Sequence, residues 1–168
     1  MGNETQENTV WGHKIVQKAQ DAKKGFFSRL SEEGQEGGLS KKGPGTIKRP
    51  SALRELRFIH PETGFDKCSL NLGVTTIPPH GDGPWHRHNC YEVFYILSGK
   101  GKFVIEGKEF WAEKGDAVNI PPNSVHKSIN SDDEPFVYVY VVSPPVVANL
   151  DDIGEARKYG YITVYEEE

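Results

Sequence analysis

The sequence predicts an all-β fold, an antiparallel sandwich or barrel, preceded by a short helical and irregular extension. Three observations lead there. Between residues 52 and 142, short runs rich in Val, Ile, Phe and Tyr recur one after another. Gly, Pro and Asn clusters separate them, as turns between antiparallel strands require. Glu106-Gly107-Lys108 stands between two such runs and reads as a hairpin turn.

The elements follow in chain order. Residues 1–51 form the extension. Within it, Ile15, Ala19, Ala22, Phe26 and Leu30 recur every three or four positions, which predicts an amphipathic helix packed on the body of the protein. Residues 31–50 mix Gly with charge and read as a solvated linker. The barrel is expected over residues 52–145. Its first strand covers residues 53–60. Cys68, Leu70, Leu72 and Val74 then alternate with Ser69, Asn71, Gly73 and Thr75, the pattern of a half-buried strand. Residues 77–84 are turn-rich. Strands follow over 92–97, 103–105, 109–111, 117–120, 125–129 and 136–142, with Phe103 and Ile105 facing inward. Residues 146–168 form a tail in which YGYITVY, residues 159–165, returns as a strand.

Composition narrows the function. The chain has 168 residues, 26% of them charged, and fits one soluble globular domain. A net charge of -4 argues against binding nucleic acid, because it leaves little to neutralise phosphates. No apolar run approaches the length of a membrane helix. The first residues, MGNETQENTV, lack the basic and apolar regions of a signal peptide. Cys68 and Cys90 have no redox or metal spacing. A cytoplasmic location is expected.

Chemistry concentrates in two stretches. Residues 81–99 read GDGPWHRHNCYEVFYILSG, with His86, His88 and Glu92 in an H-x-H-x3-E array. Residues 115–130 read GDAVNIPPNSVHKSIN, centred on His126. Imidazoles with a carboxylate suit a divalent transition metal, and the four side chains read as one site. His86 and His88 share a strand face by parity. A straight strand would carry Glu92 about 13 Å past His88, so the chain must bend near Asn89. His126 must then arrive on another strand.

The two stretches resemble the signature motifs of the cupin superfamily, G-x5-H-x-H-x3,4-E-x6-G and G-x5-P-x-G-x2-H-x3-N. In the first, the Glu and last Gly spacings fit, but Gly81 lies one residue too close to His86. In the second, Gly115, Pro121, His126 and Asn130 fit, and Asn123 stands where the family has Gly. Asn tolerates a left-handed backbone better than other non-glycine residues. The resemblance covers residues 52–145 and implies a jelly-roll barrel. It also implies a homodimer paired through its sheets and one bound divalent transition metal. Fe(II) is favoured, with Mn, Ni, Zn or Cu as alternatives.

Three function classes follow. The first is a metal-dependent dioxygenase acting on a small oxygenated organic molecule. The second is a non-redox isomerase or lyase. The third is a sensor or binding module, which the complete ligand set disfavours. Phe94, Ile96, Phe103 and Ile105 are expected to line the substrate pocket. Glu92 could act as a base as well as a ligand. Tyr138 and Tyr140 share one strand face and are candidate acid or base groups, although parity does not say whether that face is inward. His80 is a candidate for the mouth of the site. His13 and His60 fit no ligand spacing.

Overall fold

The computed structural model describes residues 9–10, 13–14, 16–24, 53–143 and 162–164. Thirteen strands are formed among them: β1 Thr9–Val10, β2 His13–Lys14, β3 Lys23–Lys24, β4 Arg54–Ile59, β5 Asn71–Ile77, β6 His86–His88, β7 Tyr91–Ser98, β8 Lys100–Ile105, β9 Lys108–Glu113, β10 Ala117–Ile120, β11 His126–Ile129, β12 Phe136–Ser143 and β13 Ile162–Val164. They form a six-stranded sheet, β10-β7-β12-β5-β4-β3, and a five-stranded sheet, β13-β6-β11-β8-β9, with β1 and β2 paired separately. The pairing is antiparallel throughout.

The expected amphipathic helix does not form in the described part of its span. Short strands and a 3-10 turn at Ala19–Asp21 stand there instead. The helical spacing loses to pairing, because β3 completes the edge of the six-stranded sheet against β4. Phe26 and Leu30 of the expected helix lie outside the described residues.

The hairpin between β8 and β9 forms as its residues dictate. Glu106 (φ 49) and Gly107 (φ 75) both take positive φ, the two-residue turn whose twist suits antiparallel strands. Between the sheets, Ile77, Ile96, Phe103, Ile120 and Phe136 are fully enclosed. The rings of Phe94, Phe103, Phe136 and Tyr138 pack with centroids 4.7 to 5.6 Å apart.

The alternation in β5 is present with the opposite facing from the one its hydrophobicity suggests. Asn71, Gly73, Thr75 and Ile77 are buried, while Leu72 and Val74 are half-buried on the other face. Gly73 shows why. A Cβ there would come within 2.4 Å of the Tyr140 ring and of the Leu56 carbonyl, so only glycine lets Tyr140 lie across β5.

The motif positions have backbone reasons. Gly99 (φ 75) and Gly115 (φ 96) take left-handed conformations, and so does Asn123 (φ 64) in place of glycine. The glycine missing from the first motif would fall at position 80, and His80 also takes positive φ, at 57. The backbone shape is kept although the residue has changed. Asn130 is a clamp: its buried amide donates to the carbonyls of Ile77 (3.0 Å) and Glu134 (2.8 Å).

Candidate metal centre

β6 ends at His88, a bend follows at Asn89-Cys90, and β7 begins at Tyr91. The bend turns Glu92 back over the two histidines. β11 pairs with β6, His126 opposite His86, and brings the third imidazole to the same face. One ligand atom from each of His86, His88, Glu92 and His126 lies within 4.8 Å of the others. The imidazole centroids are 4.2, 5.1 and 5.8 Å apart. The three histidines come from the five-stranded sheet and Glu92 comes from the six-stranded one.

Each imidazole is oriented from behind by a backbone carbonyl. Nδ1 of His86 meets the Pro84 carbonyl at 2.9 Å, Nδ1 of His88 meets that of Cys90 at 3.1 Å, and Nδ1 of His126 meets that of Ser124 at 2.8 Å. A proton on Nδ1 donated to these carbonyls leaves the Nε2 lone pairs turned inward, the orientation that metal-ligating histidines take. His126 Nε2 is buried and has no hydrogen-bond partner. Its nearest acceptor, Glu92 Oε2, is 3.5 Å away, too long for a hydrogen bond of the usual range. An ion would satisfy this nitrogen. The donor set and the orphaned nitrogen both fit a divalent transition metal.

Electrostatics separates His86 from His88. Burial, then the neighbouring His126 and His88, push His86 well below the usual imidazole range. Burial would also lower His88, but its contacts with Cys90 and Glu92 outweigh that and raise it to about 10. His88 Nε2 lies 2.9 Å from Glu92 Oε2. Burial disfavours the Glu92 carboxylate, yet His126 and His88 more than compensate and hold it well below the usual carboxylate range. Without an ion, His88 and Glu92 therefore hold a proton between them.

The other candidate residues occupy distinct places. Tyr138 and Tyr140 both face inward. The Tyr138 hydroxyl meets Ser128 Oγ at 3.0 Å, a bridge between the two sheets. Tyr140 donates to Glu55 Oε1 at 2.7 Å. Burial, then the Glu55 charge, push the Tyr140 hydroxyl well above its ordinary range, so it stays protonated. Phe94, Ile96 and Phe103 belong to the packed core one layer below the ligands. Ile105 pairs with His126 across the strands and lines a cavity of about 490 Å³ together with Phe110, Ala112 and Val118. His80 is exposed and hydrogen-bonded to Asp133 at 2.9 Å, apart from the four clustered side chains. His60 is buried and accepts from the Glu62 backbone at 3.1 Å.

Sequence reasoning passed over the inward side of β4 and β5. Glu55, Arg57, Asn71 and Thr75 are all buried there. A signal existed in the alternating charges of RELR, residues 54–57, whose Glu55 and Arg57 share one parity. Within the strand expected at residues 159–165, the described residues Ile162–Val164 form β13. It pairs along β6, with Val164 opposite His86 and Ile162 opposite His88.

Comparison with known proteins agrees with this geometry. Residues 73–142 match the family described as "Cupin domain". An uncharacterized protein of Methanocaldococcus jannaschii is 30% identical over 103 residues, covering 61% of this chain and 80% of that protein. Gentisate 1,2 dioxygenase 1 of Aquipseudomonas alcaligenes is 30% identical over 93 residues, 55% of this chain and 26% of the enzyme. Glucose-6-phosphate isomerase of Thermococcus onnurineus is 32% identical over 82 residues, 46% of this chain and 42% of the enzyme. The chain thus spans less than half the length of either named enzyme. Among solved structures, the plu4264 protein of Photorhabdus luminescens has a TM-score of 0.50 at 23% identity, covering 64% of this chain and 84% of that one. Among the described residues, no helix is long and apolar enough to cross a membrane.

Proposed function

Because this chain belongs to the cupin superfamily, we propose that it is a metal-dependent enzyme acting on a small oxygenated organic molecule, a dioxygenase in the favoured reading. One observation carries the metal-dependent reading: three carbonyl-anchored imidazoles converge on Glu92, and one of them has a buried Nε2 without a partner. His86, His88, Glu92 and His126 would hold the ion. A divalent ion that favours six ligands, Fe(II) in this reading, supplies Lewis acidity and about two positions for oxygen ligands.

The remaining work falls to this chain's own residues. Phe94, Ile96 and Phe103 form an apolar floor that keeps water from below the site. Ile105, with Phe110 and Val118, gives an apolar flank where a partly hydrophobic substrate fits. Tyr140 keeps its proton and donates a hydrogen bond to Glu55, which fixes the hydroxyl in place. Glu92, kept ionised, is the candidate base.

Elemental analysis of purified protein followed by dioxygen-electrode assays tests this reading. Uptake of dioxygen is expected with an enolic, phenolic or diketone substrate. Conversion of such a substrate under anaerobic conditions, with no uptake in air, would replace the dioxygenase by an isomerase or lyase. The similarity to a glucose-6-phosphate isomerase, at about the same identity as to the dioxygenase, supports that second reading.

A homodimer belongs to the same proposal. Leu56, Val93, Tyr95 and Leu97 are exposed on the outer face of the six-stranded sheet, apolar surface that a second copy would cover. Light scattering at tens of micromolar should give twice the chain mass of 18.8 kDa, and a Tyr95→Glu chain should shift towards the single mass. A monomer in the unaltered protein would end the idea.

A further inference from the structure

The wall facing the histidines is polar, and one group in it is incomplete. Asn71 is 8% exposed, and its Oδ1 has no hydrogen-bond partner among the described residues. A buried amide oxygen without a donor is costly, and such groups persist where a ligand or water completes them. The neighbouring hydroxyls are committed elsewhere, Tyr140 to Glu55 and Tyr138 to Ser128.

Register places Asn71 relative to the candidate centre. Asn71 pairs with Val142 of β12, and Val142 pairs with Glu92 of β7. All three are buried, so they form one row across the inner face. Two strand spacings put Asn71 about 10 Å from Glu92 along that row. Val142 stands between them on that face, so a small molecule lying over Val142 would reach from Glu92 to Asn71.

We propose that Asn71 is a specificity residue whose Oδ1 accepts a hydrogen bond from a hydroxyl of the substrate held beside His86, His88, Glu92 and His126. The proposal rests on the metal-enzyme reading and narrows it. The substrate presents oxygen ligands at one end and a hydroxyl donor a few bonds away. An analogue lacking that hydroxyl would leave the amide oxygen unpaired and bind less well.

The test uses the full chain loaded with Co(II), its metal content measured first. Visible absorption then follows titration with 4-hydroxy-2-oxobutyrate and with 2-oxobutyrate, which differ by one hydroxyl beyond a chelating end. The unaltered protein should bind the hydroxylated acid about tenfold more tightly. Asn71→Leu should hold the same amount of cobalt, bind both acids with the weaker affinity, and melt no lower than the unaltered chain. The melting readout separates this role from a structural one, because a structural amide would lower the melting temperature when replaced. Cobalt-loaded protein that binds neither acid, or binds both equally, overturns the assignment. So does an Asn71→Leu chain that keeps the preference. Failure to take up cobalt at all would instead overturn the metal-centre reading on which the proposal stands.

Discussion

A His126→Ala chain should purify with most of its metal gone, and should bind added divalent ion more than about a hundredfold more weakly than the unaltered protein. The expectation comes from how His126 is held. Its ring is almost fully buried at 2% exposure, Nδ1 is fixed on the Ser124 carbonyl, and Nε2 has no hydrogen-bond partner. Such a nitrogen has little structural use as it stands. Removing it leaves His86, His88 and Glu92, which cannot enclose an ion from the β11 side. His80→Ala is the control, since His80 is exposed and paired with Asp133 outside the group. Equal metal content in the His126→Ala and unaltered proteins, measured by elemental analysis, would show the ligand assignment to be wrong.

Metal affinity should rise with pH by about tenfold per unit across the neutral range, with release of about one proton per ion bound. The proton is the one shared by His88 and Glu92. Its partners raise His88 to about 10, so it is protonated at neutral pH and must give up that proton to become a ligand. His86 is already neutral and Glu92 already ionised, so neither adds to the slope. The stability of the metal-free protein should run the other way. His88, raised above its unfolded value near 6.5, contributes stability that is full below that pH and is lost as pH rises through about 10. Glu92, lowered from 4.5, contributes stability present above that pH and lost as acid protonates it. Chelator competition at several pH values, corrected for the chelator's own titration, measures the slope. A flat profile would mean that His88 is neutral before the ion arrives.

The convergence of His86, His88, Glu92 and His126 was legible in the sequence because parity and distance constrain it tightly. Two histidines two apart share a face, and a carboxylate four further on demands a bend, which forms at Asn89-Cys90. The tolerance of Asn123 for a left-handed backbone was also legible, and its φ of 64 agrees. The extension was misread because helical spacing is a local signal, whereas the pairing of β3 with β4 is a contact between residues far apart in the chain. The facing of β5 was not legible for a related reason. Hydrophobic alternation says that a strand has two faces, and burial of the apolar one is the usual outcome. Here Tyr140 and the site claim the inner face, so Gly73, Asn71 and Thr75 turn inward and Leu72 and Val74 turn away.

That Glu92 and the three histidines belong to different sheets has a mechanical consequence. A donor group drawn from one sheet would survive sliding of one layer over the other, but this group would not. A shear of about an ångström is comparable to the tolerance of a metal–ligand bond, so the barrel must resist it for the group to stay assembled. The hydrogen bond between Tyr138 on one layer and Ser128 on the other, two residues beyond His126, ties the layers against such slip. It works as a shear pin, and the aromatic packing around Tyr138 serves alignment as well as cohesion.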